Sequence, residues 1–269
     1  GSLLFFGFIF QQIYKNLFVY TEGQPTRHDL RWLAQAEDGQ AHAQYLLGTF
    51  RVFGRQGLPP DLNEARRWFE AAAAQNYAPA KFWLGELYRQ GQGVKQDLAQ
   101  AAHLIGQAAE QGDIPAMNAL GEMYARGEGV PRDPGKALRY YRLAAKAGFA
   151  PAERNLGYAA AEGEGMAQDY GVAFGWYMKA AKQGDGLAMS NLGLMHEHGQ
   201  GGPQDLLRAW DCFYHATLLG YTDAQAHRER VALALPIEWR ALGLYERDGR
   251  DCLIGVNRNL MPPVSRVRD

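Results

Sequence analysis

The chain is short of the side chains that hydrolytic enzymes use as nucleophiles. Serine occurs three times and threonine five times in 269 residues. Ser190 stands between Met189 and Asn191 rather than between glycines, and Ser2 and Ser265 are terminal, so no nucleophile elbow can be written. Two cysteines, Cys212 and Cys252, are too few for a disulfide framework or a four-cysteine zinc site. One bridge between them is the most they can form. No phosphate-binding loop with Gly-Lys-Ser/Thr occurs. Excess charge of one sign is also missing: 28 basic against 29 acidic side chains leave a formal net charge of -1. Nothing here predicts a field able to hold a nucleic acid backbone. His196-Glu197-His198 is the single histidine cluster, and residues two apart do not share a helix face, so no metal site is expected. These absences predict no catalytic residue, no cofactor and no metal.

What the chain has in excess is alanine, with 40 residues, and glycine, with 32. They are not scattered. Leu84-Gly85, Leu120-Gly121, Leu156-Gly157 and Leu192-Gly193 recur every 36 residues, preceded by Leu47-Gly48 at a step of 37. Asp61, Asp97, Asp133, Asp169 and Asp205 keep the same period, as do the pairs Ala72-Ala73, Ala108-Ala109, Ala144-Ala145 and Ala180-Ala181. Gly112, Gly148, Gly184 and Gly220 close the units, with Asn76 in that place first. A fixed period of this length is the mark of a repeat array.

Each unit reads as two helices. Pro79, Pro115 and Pro151 share one phase, where a first-turn proline loses no intrahelical bond. The pattern Ala116, Leu120, Gly121, Tyr124 then lays small and large apolar residues on one stripe. Gly-x-Gly ends that helix at Gly91/Gly93, Gly127/Gly129, Gly163/Gly165 and Gly199/Gly201, as left-handed C-terminal caps do. The periodic Asp has the spacing of an N-cap for the second helix, which carries Trp68-Phe69, Tyr140-Tyr141 or Trp176-Tyr177 ahead of the alanine pair. Because Gly-x-Gly follows a helix rather than a strand, it is a turn and not a dinucleotide fingerprint. Glu128, Glu162 and Glu164 lie in equivalent loops and read as solvated turns.

The run from Ala116 to Asp133, Ala-x-x-x-Leu-Gly-x-x-Tyr-x-x-Gly-x-Gly-Val-x-x-Asp, resembles the Sel-1-like repeat, the 36-residue relative of the tetratricopeptide repeat. The resemblance covers five units over residues 43–221, departing at Pro59-Pro60 and at Gly202-Pro203. It implies an all-α fold: a right-handed α/α superhelical solenoid of antiparallel helix pairs that serves as a protein-binding scaffold. Stacked units of this kind present an extended face for a partner.

The ends depart from the repeat. Residues 1–20 form an apolar, partly amphipathic segment, read either as the remnant of a signal anchor or as a capping helix. Residues 21–42 read as a degenerate leading unit, with Trp32 and Ala36 in phase with Trp68 and Ala72. Residues 222–235 read as a C-terminal capping helix in which Glu229 replaces the periodic glycine, and residues 236–269 as a non-repeat tail. A Cys212–Cys252 bridge would staple that tail to the last repeat in an oxidising compartment.

On the first helices, the face away from the stacking stripe is expected to line a partner groove: Tyr45, Phe82, Trp83, Glu86, Asn118, Glu122, Arg154, Asn155, Tyr158, Ser190, Asn191 and Leu194. This mixture of aromatic, Arg and Asn side chains suits an interface; the competing expectation is that Phe82 and Trp83 pack on the neighbouring unit. The function expected is non-catalytic sequestration of one protein partner by a chain that is monomeric when unbound. The resemblance sharpens this to a bacterial immunity protein that neutralises a secreted effector, such as a type VI lipase. The alternatives are a cell-envelope assembly scaffold or adaptor and, more remotely, an enzyme subunit with its chemistry in the tail. The expected location is the periplasm or, through an N-terminal anchor, the inner membrane, with the cytoplasm as the alternative.

Overall fold

A computed structural model describes residues 27–54 and 59–235. Segment 1–20 and tail 236–269, with Cys252, lie outside these residues, so the readings made of them are not addressed by the structure. Among the described residues there are twelve α-helices and no strand. Helix α1 (Arg27–Glu37) precedes five pairs: α2 (Ala41–Phe53) with α3 (Leu62–Ala74), α4 (Ala78–Gln90) with α5 (Leu98–Glu110), α6 (Ile114–Arg126) with α7 (Pro134–Lys146), α8 (Ala150–Glu162) with α9 (Tyr170–Lys182), and α10 (Gly186–His198) with α11 (Leu206–Leu218). Helix α12 (Ala224–Ala234) follows. The chain divides into two compact units at Arg132/Asp133, so that α1 to α6 belong to the first and α7 to α12 to the second.

The helix boundaries follow from local chemistry. All five periodic aspartates cap second helices: Asp61 accepts from the Glu64 N–H, Asp97 from Gln100, Asp133 from Lys136 and Asp169 from Val172, each at 2.9 Å, and Asp205 accepts from Arg208 at 3.0 Å. Each bond satisfies a donor that the first turn of a helix leaves open. The first helices end at Gly91, Gly127, Gly163 and Gly199 in the left-handed region. Asn76 takes the unit-closing glycine's place with φ 65°, the one non-glycine residue with positive φ among those described, and Asn is the side chain that tolerates this region best.

Two glycine columns set the packing. In the Leu-Gly column, a Cβ on Gly85 would lie 2.6 Å from Ile105, one on Gly157 would lie 2.6 Å from the Tyr177 ring, and one on Gly193 would lie 2.7 Å from the Phe213 ring. Gly48 stands in the same relation to Phe69. Each large side chain belongs to the second helix of the same pair and is buried. The second glycine of Gly-x-Gly instead meets the preceding pair: Gly93 lies against the Leu62 backbone, Gly129 against Leu98, Gly165 against Pro134 and Gly201 against Tyr170.

The cores are built from alanine and a few large residues. In the first unit, Ala36, Ala43 and Leu47 pack with Trp32, Phe50 and Trp68, which docks α1 on α2. In the second, Tyr177, Met189, Leu192, Phe213 and Val231 form one cluster with the alanines at 173, 180, 188, 209, 216 and 224. Cys212 is fully buried there, at the position held by Trp68, Leu104, Tyr140 and Trp176 in the other second helices.

Candidate protein-binding surface

Within the first helices, some positions keep their residue from repeat to repeat and others do not. The alanine at the third helical position, the leucine and the glycine are held because they pack. The positions between them change chemistry: Tyr45, Phe82, Asn118, Arg154 and Ser190 at one, Thr49, Glu86, Glu122, Tyr158 and Leu194 at another. Packing dictates the first set, so the second is where individual character can be carried.

In the first unit these side chains turn inward. Tyr45, Phe82, Trp83, Glu86 and Asn118 are buried, and Glu122 is half-buried. Trp83 stacks on Phe69 with ring centroids 6.1 Å apart and meets Phe53 and Phe82 edge-on at 5.6 and 5.8 Å. Tyr45 contacts Phe69 and Tyr77. Such aromatic contacts each add to what area burial alone provides, and they join side chains of α2, α3 and α4 into one apolar spine.

Beside it lies a charged network that the sequence reading did not identify. The Arg89 guanidinium donates to both Glu86 carboxylate oxygens at 2.9 Å and to Glu128 at 3.4 Å, while Gln90 donates to Glu86 at 2.9 Å and Asn118 to Glu122 at 3.0 Å. Glu86 is only 3% exposed. Burial alone would weaken the Arg89 charge, yet Glu86, Glu122 and Glu128 around it raise its pKa above the usual arginine value. The signal available in sequence was the Glu-Arg spacing of three on α4, which places both groups on one face.

In the second unit the same positions are more open. Tyr158 is 56% exposed. Asn155, Asn191 and Leu194 are half-buried, and Ser190 is buried. Arg154 donates to Asp185 at 2.6 Å, and Asp185 also accepts from the Ala188 N–H at 2.8 Å, which fixes the guanidinium against the start of α10. Glu153 is buried and accepts from Gln183 at 2.7 Å; burial raises its pKa despite that bond. Gln75 plays the part of Gln183 in the first repeat, donating to buried Gln44 at 2.8 Å. These latches between a residue ending the second helix and the first helix of the same pair also escaped the sequence reading, because the partners lie about thirty positions apart.

The histidine cluster is separated by its helix. His196 packs edge-on against Phe174 at 5.6 Å with its Nε2 buried and without a hydrogen-bond partner, whereas His198 is exposed. Burial, with Arg208 nearby, lowers the His196 pKa below its ordinary 6.5. Among the described residues, no group of three or more His, Cys, Asp or Glu is placed to hold a metal ion. No described helix is long and apolar enough to cross a membrane.

The family model of the Sel1 repeat matches five consecutive segments, 41–77, 78–113, 114–149, 150–185 and 186–221, which together make up more than half of the chain. The chain belongs to the Sel1 repeat family. Its fold is that of an all-α Sel1-repeat solenoid, and Sel1 repeats make it a protein-binding one. Among solved structures, a protective antigen present in uropathogenic Escherichia coli strains is 35% identical with a TM-score of 0.65, the match covering 75% of this chain and 43% of that one. The Sel1 repeat chain thus spans less than half of that antigen's length. A Sel1 repeat protein from Oxalobacter formigenes is 29% identical with a TM-score of 0.68, over 77% of this chain and 82% of that one. An immunity protein from Pseudomonas aeruginosa shares the fold at 20% identity and a TM-score of 0.50, over 70% of this chain and 72% of that one. No match was found among functionally curated proteins.

Proposed function

We propose that the chain holds one protein partner without catalysing a reaction, and that α8 and α10 carry the surface that recognises it. The observation behind this is Tyr158, an aromatic side chain left 56% exposed on a first helix where its equivalent, Glu86, is buried. Around it the open positions offer Asn155, Asn191 and Leu194. Tyr supplies a rigid amphipathic anchor, Asn supplies both a donor and an acceptor, and Arg154 is already ordered by Asp185, so little side-chain freedom is lost on binding.

Within that class, the sharper proposal is an immunity protein that neutralises a secreted effector, of the type VI lipase kind, in the periplasm or at the inner membrane. Its support is the resemblance of the repeat array to bacterial proteins of that role; the fold accommodates it, since an immunity protein from Pseudomonas aeruginosa has been solved with the same architecture. The test is affinity purification of the full-length chain from its native lysate, with the bound protein identified by mass spectrometry and the pair then measured by calorimetry. Recovery of a toxin, with co-expression relieving its effect on growth, supports immunity; recovery of envelope-assembly components instead replaces it with a scaffold role. In either case Tyr158→Ala weakens binding of the identified partner roughly 30-fold, the loss expected of an aromatic hot spot. An unchanged affinity removes α8 from the surface.

A further inference from the structure

Helices α7 and α9, both in the second unit, carry six basic side chains and not one acidic residue: Lys136, Arg139, Arg142 and Lys146 on the first, Lys179 and Lys182 on the second. All six are exposed. They fall at matching phases of the repeat, with Lys146 equivalent to Lys182 and Leu143 to Lys179, and Gly165 seats the loop entering α9 against Pro134 at the start of α7. The two helices therefore present neighbouring parts of one face. It is not a general property of second helices, because the corresponding positions on α3 and α5 hold Glu64, Glu70 and Glu110. In a chain whose formal net charge is -1, these two helices carry six of the 28 basic side chains with no acidic residue to offset them.

Four of these six charges are not used by the described fold, and two are only lightly engaged. Arg139, Arg142, Lys146 and Lys182 make no ion pair or side-chain hydrogen bond among the described residues, Lys136 lies 3.8 Å from its own cap Asp133, and Lys179 rests 4.0 Å over the Trp176 ring. Two exposed apolar side chains lie on the same helices, Leu143 at 43% between Arg142 and Lys146 on α7 and Val172 at 39% in the first turn of α9.

Composition decides what such a face fits. The chain has seven lysines, and four of them are here. Lysine is depleted in protein–protein interfaces, where its flexible stem is costly to order. It acts well at long range on a fluid anionic surface that needs no fixed geometry, and each Lys or Arg brought to such a surface adds to binding. A nucleic acid backbone would satisfy the charges but give Leu143 and Val172 no apolar medium, whereas the headgroup boundary of a bilayer accepts both. We infer that the outer face of α7 and α9 docks the protein onto an anionic phospholipid bilayer. The contact is peripheral and electrostatic, because the apolar stripe of α7, with Leu138 and Tyr141, is already buried in the fold.

The experiment is co-sedimentation of the full chain with two vesicle preparations, pure phosphatidylcholine and the same lipid with one-third phosphatidylglycerol, at roughly 0.1 M salt so that screening acts over about 10 Å. Binding to the phosphatidylglycerol vesicles above that to the neutral ones is expected. In the variant Arg139→Gln/Arg142→Gln/Lys146→Gln it falls roughly 100-fold, about fivefold for each charge removed. Since all three side chains are exposed, the variant keeps its helical circular dichroism; Leu143→Ser, which retains every charge, loses binding by a smaller factor. Equal uptake by both vesicle types, uptake unaffected by the triple variant, or capture by poly-glutamate or duplex DNA in place of vesicles each overturns the inference.

Discussion

The Leu-Gly column makes a prediction whose sign can be reversed within one repeat. Gly157 lies in α8, and a Cβ there would sit 2.6, 2.7 and 3.0 Å from Tyr177 Cδ1, Cε1 and Cγ. Ordinary carbon contacts begin near 3.5 Å, so the overlap approaches 1 Å over one edge of the ring. Tyr177 is 3% exposed and surrounded by the alanines at 160, 173 and 180, which leaves the ring nowhere to retreat. Overpacking of this kind costs about 1–3 kcal/mol, against which alanine regains up to about 1 kcal/mol of helix propensity. The expected outcome for Gly157→Ala is a net loss of about 1–2 kcal/mol. Gly175, in the paired helix α9, has nothing within 4 Å of its Cβ position and is exposed. The same substitution there collects the propensity gain alone, about 0.5–1 kcal/mol. Urea unfolding of the two variants and the parent, followed by circular dichroism, reads both numbers. Shifts of the same sign, or a Gly157→Ala protein as stable as the parent, would refute the claim that the glycine is kept for the ring.

Other outcomes follow from the same geometry. Arg89→Gln strands Glu86, which is 3% exposed, and should cost about 3 kcal/mol in urea unfolding; a neutral result would mean that Glu86 reaches water or takes up a proton. His196 has its pKa lowered by burial, so the unfolded chain binds the proton more tightly than the folded one. Stability is therefore lost as pH falls below the unfolded value of 6.5, and His196→Asn should flatten that slope between neutral pH and the depressed folded value. Parallel pH profiles for parent and variant would exclude His196 as the cause. The bridge proposed between Cys212 and Cys252 is checked by intact mass before and after reduction, an unchanged mass ruling it out.

Much of the fold could be read before any coordinates because each repeated residue has one local job. Asp169 caps, Gly163 ends a helix in the left-handed region, and Pro151 sits where a missing N–H does no harm. These choices depend on three or four neighbouring residues, so the pattern itself carries the answer. Exposure does not work this way. Phe82 and Tyr158 both lie on the first-helix face away from the stacking stripe, yet one is 4% and the other 56% exposed. Phe82 packs on Trp83, which in turn meets Phe53 and Phe69, and that grouping exists only once helices distant in sequence are assembled. The Arg154–Asp185 and Gln183–Glu153 bonds were hidden for the same reason.

The two glycine columns divide their work in a way that bears on how such a chain grows. The glycine facing Tyr177 or Phe213 answers to a side chain of its own repeat, so a unit carries both halves of that fit wherever it is placed. The glycine at the junction meets the backbone of the preceding unit at Leu62, Leu98, Pro134 or Tyr170, four different residues in one role. A seam that touches main chain is indifferent to which unit precedes it. Gene duplication or unequal recombination at a 36-residue interval can thus add or drop repeats with no compensating change at this seam; the side-chain contacts that do cross repeats, Trp83 on Phe69 and Arg89 on Glu128, are what a new neighbour has to match.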